Sequence, residues 1–201
     1  MTEATARQLL PRAERRAAIL KAAATAFAHK GFSGTSMEDV AAEAGITKLI
    51  VYRHFESKEE LYEAVLAQVS ARLAEEFMTG LARDPAGRGL GVRTLLTVAR
   101  EDPDGFVLLW RHAAREPQFA DHATRFREHA VALAHNVLTR NDVQGDRRLR
   151  TWQAELMVSM LVDAVLHWLE AGTPKRDEEM IQLTSKASIA AVRAWRQPTT
   201  D

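Results

Sequence analysis

The chain has no cysteine, which removes disulfides, thiolate metal sites and cysteine nucleophiles together. It has no net charge: 27 lysines and arginines balance 27 carboxylates. No uninterrupted apolar run reaches the roughly 20 residues that a membrane-spanning helix needs. The opening Met1-Thr2-Glu3-Ala4-Thr5-Ala6-Arg7 has no signal-peptide core, so a cytoplasmic protein without a membrane partner is expected. Strand-like alternation of useful length, internal repeats and low-complexity tracts are missing too. Gly87, Gly89 and Gly91 lack a preceding strand and misplace the third glycine of a dinucleotide loop. There is no phosphate loop, no Gly-x-Ser-x-Gly elbow, no paired acid and base, and no histidine pair with a third metal ligand. No catalytic residue, metal or cofactor is therefore expected, and an all-α enzyme is the unfavoured rival.

What remains reads as helix almost throughout. After Pro11, residues 12–30 carry Ile19, Leu20, Ala23 and Phe27 on one face. A helix after Ser57 places Leu61, Tyr62, Val65, Leu66, Val69, Leu73 and Phe77 at three- and four-residue steps, and should end before the loop Asp84-Pro85-Ala86-Gly87-Arg88-Gly89. Further helices are expected over 92–100, 103–115, 117–140, 147–171 and 177–196. Asp102 caps and Pro103 opens one of them. Gly172-Thr173-Pro174 separates the last two.

The stretch from Gly34 to Lys58 is denser in signals. Thr35 with Glu38 has capping-box spacing before Val40, Ala41 and Ala44, and Gly45 suits the left-handed residue that ends a helix. A second short helix follows over about 47–53. Ile46, Ile50 and Val51 are available for burial, and Thr47, Lys48, Leu49 and Tyr52 for exposure. Ser57 with Glu60 makes another capping box. Two short helices around a glycine turn fit a helix-turn-helix, whose second helix enters the major groove. They fit an ordinary helical corner as well. Between Arg7 and Lys58, nine lysines and arginines stand against five carboxylates, so phosphate attraction is concentrated at one end of an otherwise acidic chain. Arg7 and Arg12 belong to an arm or a disordered tail.

From about Arg15 to Leu66 the chain resembles the DNA-binding domain of the TetR family of bacterial transcriptional regulators. The resemblance rests on Ile19-Leu20-Lys21-Ala22-Ala23, Phe27, Gly31-Phe32, Thr35-Ser36-Met37, Val40-Ala41, Ala44-Gly45-Ile46, Lys48, Tyr52, His54-Phe55 and Lys58-Glu59-Glu60-Leu61, in order and without gaps. It implies an all-α fold in which residues 1–57 hold the tail and a three-helix DNA-binding domain. Residues 58–201 then form a helical effector-binding and dimerisation domain, linked through its first helix. It also implies operator DNA as partner. Thr47, Lys48, Leu49, Tyr52 and Arg53 would lie in the major groove, and Thr35, Ser36, Tyr52, His54 and Lys58 at phosphates. Leu49 and Ile50 depart from the family pattern, which usually has a small or polar residue after the lysine. Leu49 would suit a thymine methyl, or equally pack against a neighbouring side chain.

Leu156 to Leu169 is apolar around most of its circumference, so such a helix must be covered on more than one side. A central helix in a monomeric bundle meets that need. So does a homodimer, which the resemblance implies, paired through the last two helices at Leu161, Val165, Trp168, Ile189, Val192 and Trp195. By the same logic the central helices hold an unknown small-molecule effector, with Phe106, Trp110, Phe126, His129, Met157 and Met160 as candidate contacts. The function implied is that of a ligand-responsive repressor, bacterial, cytoplasmic and nucleoid-associated when bound. The alternative is an architectural or protein-recruiting DNA binder without an effector.

Overall fold

The computed structural model describes residues 11–84, 87 and 89–196, and among them no strand forms. Arg7, expected in an arm or tail, and Pro85, Ala86 and Arg88 of the expected loop lie outside the described residues, whereas Arg12, expected with Arg7, is the first residue of a helix. Among the described residues nine α-helices follow in order: α1 (Arg12–Gly34), α2 (Met37–Glu43), α3 (Lys48–Tyr52), α4 (Lys58–Arg83), α5 (Leu90–Glu101), α6 (Pro103–Val107), α7 (Ala120–Arg140), α8 (Arg147–Ala171) and α9 (Asp177–Trp195). The chain divides into two compact units, Met1–Val65 and Leu66–Asp201, and α4 runs through the division. No described helix is long and apolar enough to cross a membrane.

The first unit is built around aromatic contacts. The rings of Phe27 and Phe32 both meet Tyr62 edge-on, with centroids 4.9 and 5.3 Å away. Ile19, Leu20, Val40, Val51, Phe55 and Leu61 complete the core, each contributing about 1.5–3 kcal/mol of burial. α1 is not continuous to its end: Gly31 takes φ 71°, ψ 169°, a left-handed conformation that costs glycine little.

In the second unit α8 is the hub, packing against α5, α7 and α9. Asp102 caps α6 by accepting from Gly105 N–H at 2.9 Å, with Pro103 in the first turn. The helix expected to continue to residue 115 does not do so as α-helix. After Val107 the backbone widens into a π turn over Leu108–His112, then tightens into a 3₁₀ turn over Ala113–Arg115. Arg100 grips Asp177 through two hydrogen bonds of 3.0 and 2.8 Å, and Trp168 Nε1 donates to the same carboxylate at 2.7 Å. These bonds hold the carboxyl of Asp177 below its ordinary range, Arg100 being the larger cause.

The expected dimer residues fall in different places. Val165 is 0% exposed and Val192 is buried, so both pack inside the chain's own core. Leu161, Trp168 and Trp195 are half-buried and Ile189 is exposed. Trp168 is further committed inward by its bond to Asp177. The free apolar side chains on these helices are instead Leu149, Trp152 and Leu156 of α8, and Leu183 with Ile189 of α9. An α8 apolar on nearly every side gave no basis for choosing between inward and outward positions.

Candidate nucleic-acid interface

The helix-turn-helix starts one residue later than the spacing suggested. Ser36, not Thr35, caps α2: its Oγ accepts from Asp39 N–H at 3.1 Å, and Asp39 Oδ2 accepts from Ser36 N–H at 2.8 Å. Lys30 Nζ holds the other oxygen of Asp39 at 2.6 Å. These contacts, Lys30 first, keep the Asp39 carboxyl far below its ordinary range. Thr35 is only 2% exposed. Its hydroxyl donates to the carbonyls of Gly31 and Ala26, at 2.7 and 3.2 Å, which satisfies acceptors where α1 breaks. Its side chain is therefore withdrawn from any phosphate.

The turn between α2 and α3 is a full Schellman motif. Gly45 at φ 64° donates to Ala42 O (3.1 Å), and Ile46 donates to Ala41 O (2.9 Å). Thr47 then takes the N-cap position of α3 without spending its hydroxyl on the cap. Val51 is fully buried, which fixes the roll of this five-residue helix. Thr47, Lys48, Leu49, Tyr52 and Arg53 are consequently exposed together. Leu49 stands out at 63% exposure, a large apolar side chain with no partner in its own fold.

Two lysines are already engaged. Lys48 is ion-paired with Glu38 of α2, and its ammonium lies 5.4 Å from the centroid of the Tyr52 ring. The pairing raises the pKa of Lys48 and lowers that of Glu38. Lys58 turns inward: Nζ donates to Phe32 O at 2.8 Å and Thr35 O at 3.0 Å, 4.2 Å from the Phe32 ring centroid. Expected at a phosphate, it is instead a clamp on the end of α1. Nearby, Ser57 Oγ accepts from Glu60 N–H as a cap should, but the Glu60 carboxylate accepts from Glu56 N–H rather than from Ser57.

His54 is half-buried with Nδ1 sealed and unpaired. Desolvation lowers its pKa, aided by Arg12, Arg15 and Arg16. Arg16 also sits 5.0 Å from the centroid of the Phe55 ring. Arg15 and Arg16 were not singled out from sequence. Their one-turn spacing from Arg12 on α1 is visible there, but their nearness to His54 is not.

In the second unit a half-open cavity of about 350 Å³ is lined by Trp110, Arg111, Arg115, Arg127, Asp163 and Leu166, among others. Of the six expected effector contacts, only Trp110 lines it. Phe126 and Phe106 pack on the Trp110 ring, with centroids 5.3 and 6.3 Å away. Phe106 and Met157 are buried core, and Met160 is half-buried outside the lining. His129 is exposed, with Nδ1 2.8 Å from Arg125 O.

Comparison with known proteins places this geometry. Residues 19–65 match the family described as bacterial regulatory proteins, tetR family. The chain is 28% identical over 179 residues to the HTH-type transcriptional activator FasR of Mycolicibacterium smegmatis, covering 87% of this chain and 81% of that protein. It is 36% identical over 105 residues to the HTH-type transcriptional repressor Rv3405c of Mycobacterium tuberculosis, covering 51% of this chain and 55% of that one. A TetR-like transcriptional regulator from Rhodococcus sp. RHA1 superposes with a TM-score of 0.73 at 23% identity, covering 92% of this chain and 98% of that structure. That likeness speaks to the fold.

Proposed function

Since the chain belongs to the tetR family of bacterial regulatory proteins and is a DNA-binding transcriptional regulator, we propose that it is a ligand-responsive repressor holding a palindromic operator as a homodimer. The observation that carries the DNA reading is α3. Its one fully buried residue turns Thr47, Lys48, Leu49, Tyr52 and Arg53 outward together. Thr47 and Lys48 offer polar contacts to base edges, and Leu49 an apolar face for a thymine methyl. Ser36, Tyr52 and His54, joined by Arg12, Arg15 and Arg16, hold phosphates and fix register.

One five-residue helix reads too few bases for useful specificity, so a two-fold pair of heads is required. Exposed Trp152 and Leu156 of α8, with Leu183 of α9, supply the pairing surface. Trp152 at 56% and Leu183 at 60% exposure are costly to leave in water. An effector in the second unit acts by favouring a dimer whose heads are wrongly spaced for two successive grooves, and must prefer that state to have any effect.

A second reading changes only the sign. FasR is an activator, so a regulator that recruits transcription from the same operator is the alternative. Genomic fragments bound by the protein, placed before a reporter, decide it: expression should rise when the regulator is deleted. A fall assigns activation, and no enriched palindrome ends the operator reading. Trp152→Asp and Leu183→Asp should each sediment as monomers; dimers in both would remove that interface.

A further inference from the structure

We propose that the cavity beside Trp110 takes a small organic anion, a carboxylate or phosphate carried on an apolar body. This rests on the effector reading above for treating the cavity as a ligand site. The lining combines three guanidiniums, Arg111, Arg115 and Arg127, with one carboxylate, Asp163. Their charges are not equally committed. Arg127 bonds Glu155 through Nε (3.0 Å) and Ser159 through Nη2 (2.8 Å). Arg111 bonds Glu170 through Nη1 at 2.5 Å. Among the described residues Arg115 has no carboxylate partner, so it is the uncompensated cation of the cavity wall. Arg111 and Arg127 keep unused N–H groups beside it.

A guanidinium fork matches the paired oxygens of a carboxylate or phosphate, and such charge-assisted bonds are the strong ones. The remainder of the wall is apolar apart from Ser159: the Trp110 indole, Ala114, Val162 and Leu166. At about 350 Å³ the space lies at the small end of ligand sites. Trp110 sits within the π turn Leu108–His112, an irregularity frequent at functional sites. The turn brings Trp110 and Arg111 to the cavity together with Ala114 and Arg115 of the following 3₁₀ turn. Asp163 opposes an anion, and its removal should strengthen binding.

The test titrates the full chain with phenylacetate, octanoate and phenyl phosphate, and with the neutral phenylacetamide and octanamide, reading tryptophan fluorescence. Trp110→Phe identifies the responding indole. At least one acid should saturate the Trp110 signal, with its amide at least about tenfold weaker. Arg115→Gln should weaken the acid by about tenfold or more and leave the amide unchanged, and Asp163→Asn should tighten the acid. Amides binding as well as acids, Arg115→Gln binding acids as wild type does, or no acid reporting at Trp110 would each overturn the proposal. Operator release is followed in the same titrations. Anion binding without release leaves the anion site standing and ends the effector reading. Release by an amide alone ends the anion site and leaves the effector reading.

Discussion

Replacing Lys58 by methionine keeps most of the apolar stem and removes only the ammonium, so its effect isolates the clamp. Two carbonyls at the broken end of α1, those of Phe32 and Thr35, lose their donor at once. A hydrogen bond from a charged group contributes about 1.5–3 kcal/mol, and a cation over an aromatic face adds about 0.5–2 kcal/mol. Lys58 is half-buried, so water replaces part of what is lost, and bonds from one ammonium do not add fully. A net loss of about 2 kcal/mol is expected. It should be confined to the first unit, and the chain carries its own reporters for that. Both tyrosines, Tyr52 and Tyr62, lie in the first unit, and all four tryptophans lie in the second. Tyrosine near-ultraviolet dichroism should show a urea midpoint lowered by about 1 M, while tryptophan fluorescence melts as in wild type. Operator binding by the folded variant should keep the wild-type salt slope. An unshifted tyrosine transition with a slope reduced by about one would refute the clamp and restore Lys58 to the phosphates.

Three further outcomes follow from the same geometry. Leu49→Ala should cost under about 1 kcal/mol of stability because the side chain is mostly exposed. It should weaken operator binding about five- to tenfold and relax choice at one base position; unchanged affinity in an anisotropy titration removes Leu49 from the groove. Gly172→Ala places a Cβ 2.2–2.7 Å from atoms of the Trp168 ring, so the indole must move and surrender Asp177. A loss of about 1–3 kcal/mol with a red-shifted emission is expected, and a wild-type spectrum would count against the contact. Asp177 has a depressed carboxyl, so its contribution is fully present above the unfolded value near 3.9 and fades as pH falls through the folded one. Asp177→Asn should therefore differ from wild type by a constant urea midpoint above about pH 5 and draw progressively closer to it as pH falls below about 4. A gap that stays constant into acid would exclude the ion pair as its source.

Helix positions were largely legible because caps and apolar periodicity agree along most of this chain. Helix α8 stops at Ala171, just before Gly172-Thr173-Pro174, and Gly45 does what a glycine after Ala44 should. Local ambiguity defeated finer choices. Thr35-Ser36-Met37-Glu38-Asp39 contains two capping frames one residue apart. The choice between them is made by the carbonyls that the break at Gly31 leaves for the Thr35 hydroxyl. Lys58 and Lys48 both look like free cations in sequence, and only tertiary contacts show one folded inward and one held by Glu38. Nothing in Leu108-Leu109-Trp110-Arg111-His112 announces a π turn, which is why the effector candidates clustered on apolar residues while the arginines lining the cavity were passed over.

The pairing of Lys48 with Glu38 bears on discrimination between DNA sequences. A lysine already held by a carboxylate gains little by exchanging it for an isolated phosphate, since one anion replaces another. The exchange becomes favourable only where the surrounding contacts of Thr47, Leu49 and Tyr52 also fit, so that a correct site compensates for breaking the pair. On the proposed reading of α3, Glu38 therefore penalises random DNA more than the operator. Its removal should yield a protein that binds more tightly everywhere and chooses less well.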